Sequence, residues 1–521
     1  MTSNKNNGFW GLNWNNFFHG WRSRTKKTSS SASNVMVLLF LFFTILFCYL
    51  ISDAWVNYPI DSSTPSEKLS KPLPAPPPPP LRLKTYPLQC NTNKTTNQTC
   101  PNNNYLIITN PTLTNLDPAP TCPDYFKWIH EDLRPWKSTG VTRQMVEGAR
   151  KTAHFRVVII KGRVYIEKYR KSLQTRDKFT MWGILQLLRW YPGKLPDLEL
   201  MFDCDDRPVI PAVRFKKPGS SPPALFRYCS DDFGLDIVFP DWSFWGWAET
   251  NIKPWRNATR DIKGGNKRIK WKDRVPYAYW RGNPNVHRKR QDLLKCNVSK
   301  DYDWNTRLYL QNWKDQAKEG YKESNLEDQC THRYKIYIEG WAWSVSQKYI
   351  LACDSMTLLV TPEYHEFYTR AMLPLVHYWP IKDNSKCKSL KFAVDWGNNH
   401  TSKAQAIGEA GSRYIHEDLK MEYVYDYMFH LLKEYAKLQR FKPEIPPNAI
   451  ELCSEAMACQ EEGIWRKLME ESLEKSPRDE APCTLPPPYD PLELKEFLGK
   501  KANLTRQVEM WEDNYWTSSP K

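Results

Sequence analysis

An unbroken run of seventeen residues without a charge, Val35 to Ile51, constrains this chain more than any other stretch. Its length sits at the short end of what crosses a hydrocarbon core about 30 Å thick. Upstream stand Lys5, Arg22, Arg24, Lys26 and Lys27, and no acidic residue precedes Asp53. The positive-inside rule then leaves residues 1–34 in the cytoplasm and carries everything from Ser52 onward across the membrane. A cleaved signal peptide would hold its apolar stretch nearer the start, with a small-residue cleavage site behind it, and neither pattern is seen. Residues 35–51 therefore read as a transmembrane signal anchor. Mean hydropathy of −0.66 excludes a polytopic membrane protein.

Two further features agree with a body in an oxidising lumen. Asn-x-Ser/Thr sequons stand at Asn93, Asn97, Asn257, Asn297, Asn399 and Asn503, all beyond the run, and read as N-glycosylation sites. Of thirteen cysteines, Cys48 lies in the run and twelve lie beyond it, an even number that suits disulfides. No Cys-x-x-Cys pair occurs, which disfavours a zinc site or a thioredoxin-type motif. The closely spaced pairs Cys90 with Cys100 and Cys453 with Cys459 read as local loop staples.

Residues 52–121 are rich in Pro, Ser, Thr and Asn, with Pro76 to Pro80 in a row, and read as an extended stem. The body starts at Cys122. Lys161-Gly162 signals a hairpin between His154–Ile160 and Arg163–Glu167. Thr175 is placed to cap a helix running to Tyr191 and stopped by Pro192-Gly193, and Asp197–Cys204 follows as a strand. Further strands are expected at Tyr277–Trp280, Arg333–Ile338, Met356–Val360 and Leu375–Trp379, with helices at Ser344–Ala352, Glu363–Ala371 and Lys403–Ile415. Such alternation marks parallel α/β sheets. A break near Asn257–Lys272 favours two sheets facing one another, over residues 122–270 and 271–442, with 443–521 as an irregular charged tail packed on them.

Net charge is +16, from 74 Lys and Arg against 58 Asp and Glu, and calls for an anionic partner: nucleotide, nucleic acid or membrane surface. An aromatic content of 14% excludes a disordered chain. The densest acidic cluster, Asp203-Cys204-Asp205-Asp206, follows an expected strand, where open α/β sheets collect ligands. It can supply a general base toward an acceptor hydroxyl, or an Asp203-x-Asp205 pair holding a divalent ion against a diphosphate, or only a solvated turn. Ala278-Tyr279-Trp280-Arg281-Gly282 ends a strand in a tight turn whose Arg offers charge-assisted bonds to phosphate; Arg288, Lys289 and Arg290 follow. A surface turn with a solvated basic run is the alternative. Gly340 to Lys348 sets Gly after a strand and Ser at a helix start, an anion-binding arrangement unless Trp341 and Trp343 are simply core. Within Pro240 to Trp247, the aromatic residues either stack on sugar rings or build a satellite core. His287, His332, His365 and His377 show no ligand spacing, and the Gly-x-Ser-x-Gly, Walker A and dinucleotide-binding Gly patterns are absent.

At these clusters the sequence resembles the Rumi-type protein O-glucosyltransferase family, whose wider membership includes fungal capsule-associated xylosyltransferases and many plant proteins. The matching stretches are Ile129–Trp136, Leu195 through Pro208, Tyr228 to Trp245, Ala278 to Gly282, Cys330 to Lys348 and Val376–Tyr378, collinear over residues 122–442. Trp280 to Pro284 and Glu339 to Ser346 are of the plant style. The resemblance implies a GT-B fold of two Rossmann-like domains, acceptor-side then nucleotide-sugar, and an inverting, metal-independent transfer from a UDP-sugar. It puts the family's catalytic Asp on Asp206 and the donor-binding stretch on Ala278, Tyr279, Trp280, Arg281 and Gly282. A further donor-site Arg falls within Arg288–Arg290, with Arg290 preferred, and the phosphate-binding loop falls on Trp341, Ala342, Trp343, Ser344, Val345 and Ser346. There the chain departs from the pattern: Ser346 stands where the family carries Arg, so either Lys348 replaces its charge or donor preference differs. A Cys330–Cys353 disulfide is implied as well. The acceptor loop around Thr250 to Trp255 matches poorly, so an EGF-repeat acceptor is not carried over. Trp242, Phe244 and Trp245 are expected on the acceptor side.

These readings predict a single-pass type II membrane protein of the Golgi, favoured over the ER because the chain ends Ser519-Pro520-Lys521 rather than in a retention signal. Its expected work is to move a sugar, glucose or xylose, from a UDP-sugar to a hydroxyl of a glycan or protein, with no cofactor, no metal and no nucleic-acid partner. A metal-dependent Asp-x-Asp transferase and a non-catalytic carbohydrate-binding protein on the same fold are the alternatives.

Overall fold

Two residues with positive φ open the first sheet. Lys161 (+50°) and Gly162 (+71°) form the two-residue turn whose twist matches paired strands. They join β1 (Phe155–Ile160) to β2 (Arg163–Lys168) in the computed structural model, which describes residues 86–91, 98–101, 119–217 and 219–518. β3 (Leu198–Phe202) lies antiparallel on the other side of β1, and β4 (Leu225–Arg227) and β6 (Ile237–Val238) continue parallel from it. With β13 (Ile450–Leu452) on the far edge the order is β13-β2-β1-β3-β4-β6. The sheet is therefore mixed rather than parallel, because the tight turn leaves no room for a crossover.

The second sheet is wholly parallel. β7 (Val275–Gly282), β8 (Thr306–Leu310), β9 (His332–Tyr337), β10 (Met356–Val360) and β12 (Trp379–Ile381) stand in the order β12-β10-β9-β7-β8. From the β8 edge this is the 2-1-3-4-5 order of a doubly wound sheet, with its switch point between β7 and β9. Tyr334, Ile336, Leu358 and Trp379 share a core with Leu390, Ala393, Val394 and Ile407 of the helices Lys386–Asn399 and Thr401–Arg413. A short ribbon, β5 (Ser230–Asp231) against β11 (Tyr364–His365), links a loop of the first sheet to one of the second. The helices Arg176–Trp190 and Met421–Leu438 meet through Trp190 and Tyr425, whose rings are 5.6 Å apart.

Several expectations are corrected. The strand at Leu375–Trp379 begins only at Trp379, since Leu375 (φ +60°) turns to hydrogen-bond Tyr378. Glu363–Ala371 is not a helix: Glu339 takes the backbone N–H groups of Glu363 and Tyr364 at 2.9 and 2.8 Å, pinning the chain extended. The break at Asn257–Lys272 is occupied by a helix, Trp255–Arg268, whose buried Trp255, Ala258, Ile262 and Gly265 form one stripe. The helix at Ser344–Ala352 shrinks to Gln347–Leu351. The tail is not irregular, for it holds the helices Gly463–Glu471 and Pro491–Ser518 besides β13.

The loop staples are also corrected. Cys453 and Cys459 flank the helix Ser454–Ala458, and six residues of helix advance about 9 Å, too far for one disulfide. Instead Cys459 joins Cys90, Cys453 joins Cys100, and Cys483 joins Cys122. Cys296–Cys387 and Cys330–Cys353 complete the described set, and Cys204 and Cys229 are buried free thiols. The expected anchor Val35–Ile51, the cytoplasmic tail, most of the stem, Asn93 and Asn97 lie outside the described residues. Among the described residues no helix is long and apolar enough to cross a membrane.

The helix Trp255–Arg268 carries adjacent glycines in opposite surroundings. A Cβ on Gly265 would fall 2.2 Å from the carbonyl oxygen of Glu327, whereas Gly264 has nothing within 4 Å. Gly264→Ala should stabilise by about 1 kcal/mol through helix propensity. Gly265→Ala should destabilise despite the same propensity gain. Thermal unfolding of the two variants checks the opposed signs.

Candidate active site

A parallel sheet wound in this order leaves a crevice at the carboxyl ends of its strands, where the winding reverses. A cleft of about 340 Å³ lies there, with Arg281 and Arg290 on the second-sheet side and Asp206, Arg176, Trp242 and Trp247 on the other. Its charge is lopsided. Among the described lining residues Asp206 is the one carboxylate, against Arg176, Arg281, Arg290 and Lys335.

The acidic cluster divides by burial. Asp203, at the end of β3, is fully buried and pairs with Arg227 and, at 3.0 Å, with Arg170 and His154. Burial alone would raise its carboxyl, but the bonds from His154 and Arg227 prevail and hold it below the usual range. Asp205 is half exposed and lies 3.1 Å from Arg170. His154, Asp203 and Asp205 bring their ligand atoms within 4.8 Å of one another, yet the Arg170 and Arg227 guanidinium groups already occupy those carboxylates. Asp206 differs: Arg176 holds its Oδ1 at 2.6 Å, while its Oδ2 has no hydrogen bond among the described residues and the side chain is 24% exposed. Arg176 also donates to the Cys204 carbonyl at 3.1 Å and lies 4.5 Å over the Trp242 ring. The carboxylate is thus fixed in direction with one oxygen free.

On the opposite wall Arg281 donates to the backbone oxygen and carboxylate of Glu323 at 2.8 and 2.9 Å. Glu323 is exposed, and an exposed pair of this kind exchanges readily for a stronger anion. Arg290 is buried and spends its donors on the carbonyls of Glu339, Asn283 and Ile338 and on Ser344 Oγ, the last at 2.9 Å. Burial pushes its guanidinium down to about 10. Arg290 therefore shapes the loop more than it reaches into the cleft. Lys289 pairs with Glu339 and Glu363, at 3.0 and 2.9 Å. In the loop, Trp341, Trp343, Ser344, Val345 and Ser346 line the cleft, with Ser344 Oγ 2.8 Å from Ser346 Oγ, while Ala342 is buried behind them. Ser344 N–H, ahead of the short helix Gln347–Leu351, already donates to Tyr337 OH at 3.1 Å.

Five sequence-expected residues do not line the cleft: Lys348, Phe244, Trp245, Ala278 and Ala342. Lys348 is fully buried, 2.7 Å from Asp241 and 4.6 Å over the Phe244 ring, so its charge is spent inside. Phe244 and Trp245 are core: Phe244 packs on Trp255 and Phe367, and Trp245 donates to Tyr425 OH at 3.1 Å. Of the expected acceptor-side residues Trp242, Phe244 and Trp245, Trp242 alone lines the cleft, joined by Trp247 5.1 Å away. Ala278, within β7, is buried, whereas Tyr279, Trp280 and Gly282 line the cleft. Arg176 and Lys335 were not singled out from the sequence, whereas Trp247 stood in the aromatic segment Pro240 to Trp247. Of the described sequons, Asn399 and Asn503 are exposed, Asn257 donates to Glu471 at 3.3 Å, and Asn297 accepts from Leu308 N–H at 3.0 Å.

Residues 117–512 match the family model of glycosyl transferase family 90. The O-glucosyltransferase rumi homolog of Aedes aegypti is 27% identical over 372 residues, covering 67% of this chain and 87% of that protein. The O-glucosyltransferase rumi of Drosophila melanogaster is 26% identical over 341 residues, 62% of this chain and 79% of its own. Protein O-glucosyltransferase 1 of Bos taurus is 29% identical over 349 residues, 63% of this chain and 84% of its own.

The buried acid at the end of β3 carries a stability test. Asp203→Asn removes one of the two carboxylates that Arg227 faces, leaving it Asp236 at 3.4 Å, and should destabilise the fold, readable by thermal unfolding. Because the native carboxyl sits below its reference value of 3.8, its contribution is present above that pH and lost as pH falls through the native value. Wild type should show that share of acid destabilisation and Asp203→Asn should not.

Proposed function

The chain belongs to glycosyl transferase family 90 and is a glycosyltransferase, and on that premise we propose that its cleft moves a sugar from a UDP-linked donor to an acceptor hydroxyl with inversion. The observation that carries this is the lone carboxylate facing a cationic wall. A single displacement needs one base beside the acceptor and donors beside the leaving group. Such a displacement inverts the anomeric carbon, and among the described lining residues no second carboxylate stands beside Asp206 to act as a nucleophile while Asp206 serves as the base. Asp206 Oδ2 takes the hydroxyl proton while the acceptor oxygen attacks the anomeric carbon. The bond to UDP breaks with its electron pair passing to the diphosphate. Arg281, exchanging Glu323 for phosphate, meets that charge, with Ser344 and Ser346 beside it. Trp242 and Trp247 offer faces for an acceptor sugar or peptide ring. Asp203 and Asp205, occupied by arginines, hold no metal in this scheme.

The two sheets are the two Rossmann-like halves of a GT-B fold in this reading. Five disulfides among the described residues fit an oxidising compartment, so the body works in the secretory lumen. Val35–Ile51 anchors it as a single-pass type II protein of the Golgi membrane, and glucose or xylose is the sugar.

Asp206→Asn should lower transfer by about 10²–10⁴-fold while UDP still binds. Asp205→Asn should cost far less, and excess EDTA nothing. Full activity in Asp206→Asn, or loss of activity in EDTA, overturns the mechanism. Replacing Arg281 by Ala should weaken UDP binding at least tenfold, at about 1.5–3 kcal/mol per charge-assisted bond. For topology, protease added to intact vesicles should remove only the N-terminal tail, and a digested body would refute the lumenal assignment.

A further inference from the structure

Among the described residues Lys335 is a buried cation without an anion. It lies on β9, in register with Tyr279 of β7 and Thr357 of β10, and lines the cleft with only 3% of its surface exposed. Several other buried cations have carboxylates: Lys348 has Asp241, Arg227 has Asp203, and Arg370 has Asp132, while buried Arg274 is satisfied by the Ile269 and Asn266 carbonyls and Ser355 Oγ. Arg290, which lacks one, is satisfied by three carbonyls and a hydroxyl. Lys335 has a single hydrogen-bond partner among the described residues, Cys353 Sγ at 3.3 Å. That sulfur is tied to Cys330 in a disulfide, so it accepts weakly and cannot ionise to balance the charge. Thr357, on the neighbouring strand, has a buried hydroxyl that is itself without a partner. An ammonium group carries three donors, and burying it unpaired is costly. Where such a group lines a cleft, the missing acceptor is most simply a ligand.

We propose that Lys335 is a donor-binding residue whose ammonium receives an oxyanion of the bound nucleotide sugar. This rests on the reading of the cleft as a nucleotide-sugar site. The shared chemistry is an oxyanion, supplied either by the diphosphate of every such donor or by the carboxylate of a uronic-acid sugar.

A physical signature follows. Burial, with repulsion from Arg274, pushes the empty-site ammonium down to about 7. An oxyanion beside it favours the charged form, so binding above about pH 7 draws a proton in, and affinity falls as pH rises toward the bound-state value. The other groups facing Lys335 are silent in that window. Tyr279 is pushed up to about 12, His332 down to about 4, and Arg274 is a guanidinium. The nucleotide's own phosphate, with a second ionisation near pH 6, is already deprotonated.

Titration calorimetry on the full chain tests this with UDP, UDP-glucose and UDP-glucuronate at pH 7.5 and 9, each in two buffers of different ionisation enthalpy. Wild type should take up protons on binding UDP and lose about tenfold in affinity between the two pH values. Lys335→Met should bind UDP at least tenfold more weakly at pH 7.5, with no proton uptake and no pH dependence. Ligand-free Lys335→Met should melt no lower than wild type, since it removes an unpaired buried charge; a merely structural lysine would give the opposite. If UDP binding is unchanged but a preference for UDP-glucuronate over UDP-glucose disappears in the variant, the oxyanion is the sugar carboxylate. Equal affinities of variant and wild type for all three ligands at both pH values overturn the proposal. Absence of proton uptake by wild type with both UDP and UDP-glucuronate also overturns it, without any variant. Wild type that binds none of the three ligands refutes the cleft reading instead, a distinguishable result.

Discussion

Beneath the cleft an ion pair with no exposed surface, Asp241 with Lys348 at 2.7 Å, joins a loop following the first sheet to the helix that follows β9. Removing one partner of such a pair strands a charge in the interior, at about 3–5 kcal/mol. Its surroundings are arranged so that one lysine faces one negative charge. Glu366 lies in the same cluster, but burial pushes its carboxyl up to about 8, leaving it neutral at pH 7. Tyr349 OH bonds Ser243 Oγ at 3.2 Å, and Tyr349 packs edge-on to Trp255, extending the joint into the core. With the floor fixed in this way, adjustable contacts are left to the rim. Arg207, beside the acidic cluster, stacks 3.9 Å over Trp341, which is 51% exposed.

What the sequence disclosed divides along a physical line. Elements set by local chemistry were legible: the Lys161-Gly162 turn, the helix after Thr175, and Met356–Val360, an apolar run fully buried on both faces. The acidic cluster was legible too, because strand ends of α/β sheets are where ligands gather. Residues whose meaning depends on a distant partner were not. Lys348 reads as a spare cation until Asp241, 107 residues away, is set against it. Arg176 shows no local sign that it will hold Asp206, 30 residues on. Within Trp242 to Trp247 the direction of each ring, into the cleft or into the core, follows from a short 3₁₀ turn that hydropathy does not encode. The helix Trp255–Arg268 was hidden because its glycines and polar residues suppress the apolar signal, while four buried positions suffice to hold it.

The disulfide pattern bears on how the chain is made. Cys90, Cys100 and Cys122 enter the lumen early during synthesis, and their partners Cys459, Cys453 and Cys483 come 369, 353 and 361 residues later. At about 5–20 residues per second, ribosomal synthesis separates first from last by tens of seconds. Throughout that interval Cys90 and Cys100 are closest to each other, and a bond between them is the quick mistake. The first and last segments of the body thus depend on thiol–disulfide exchange that outlasts translation. The cleft lies in the polypeptide made between those cysteines, so it can be assembled before the covalent clasp closes over the ends.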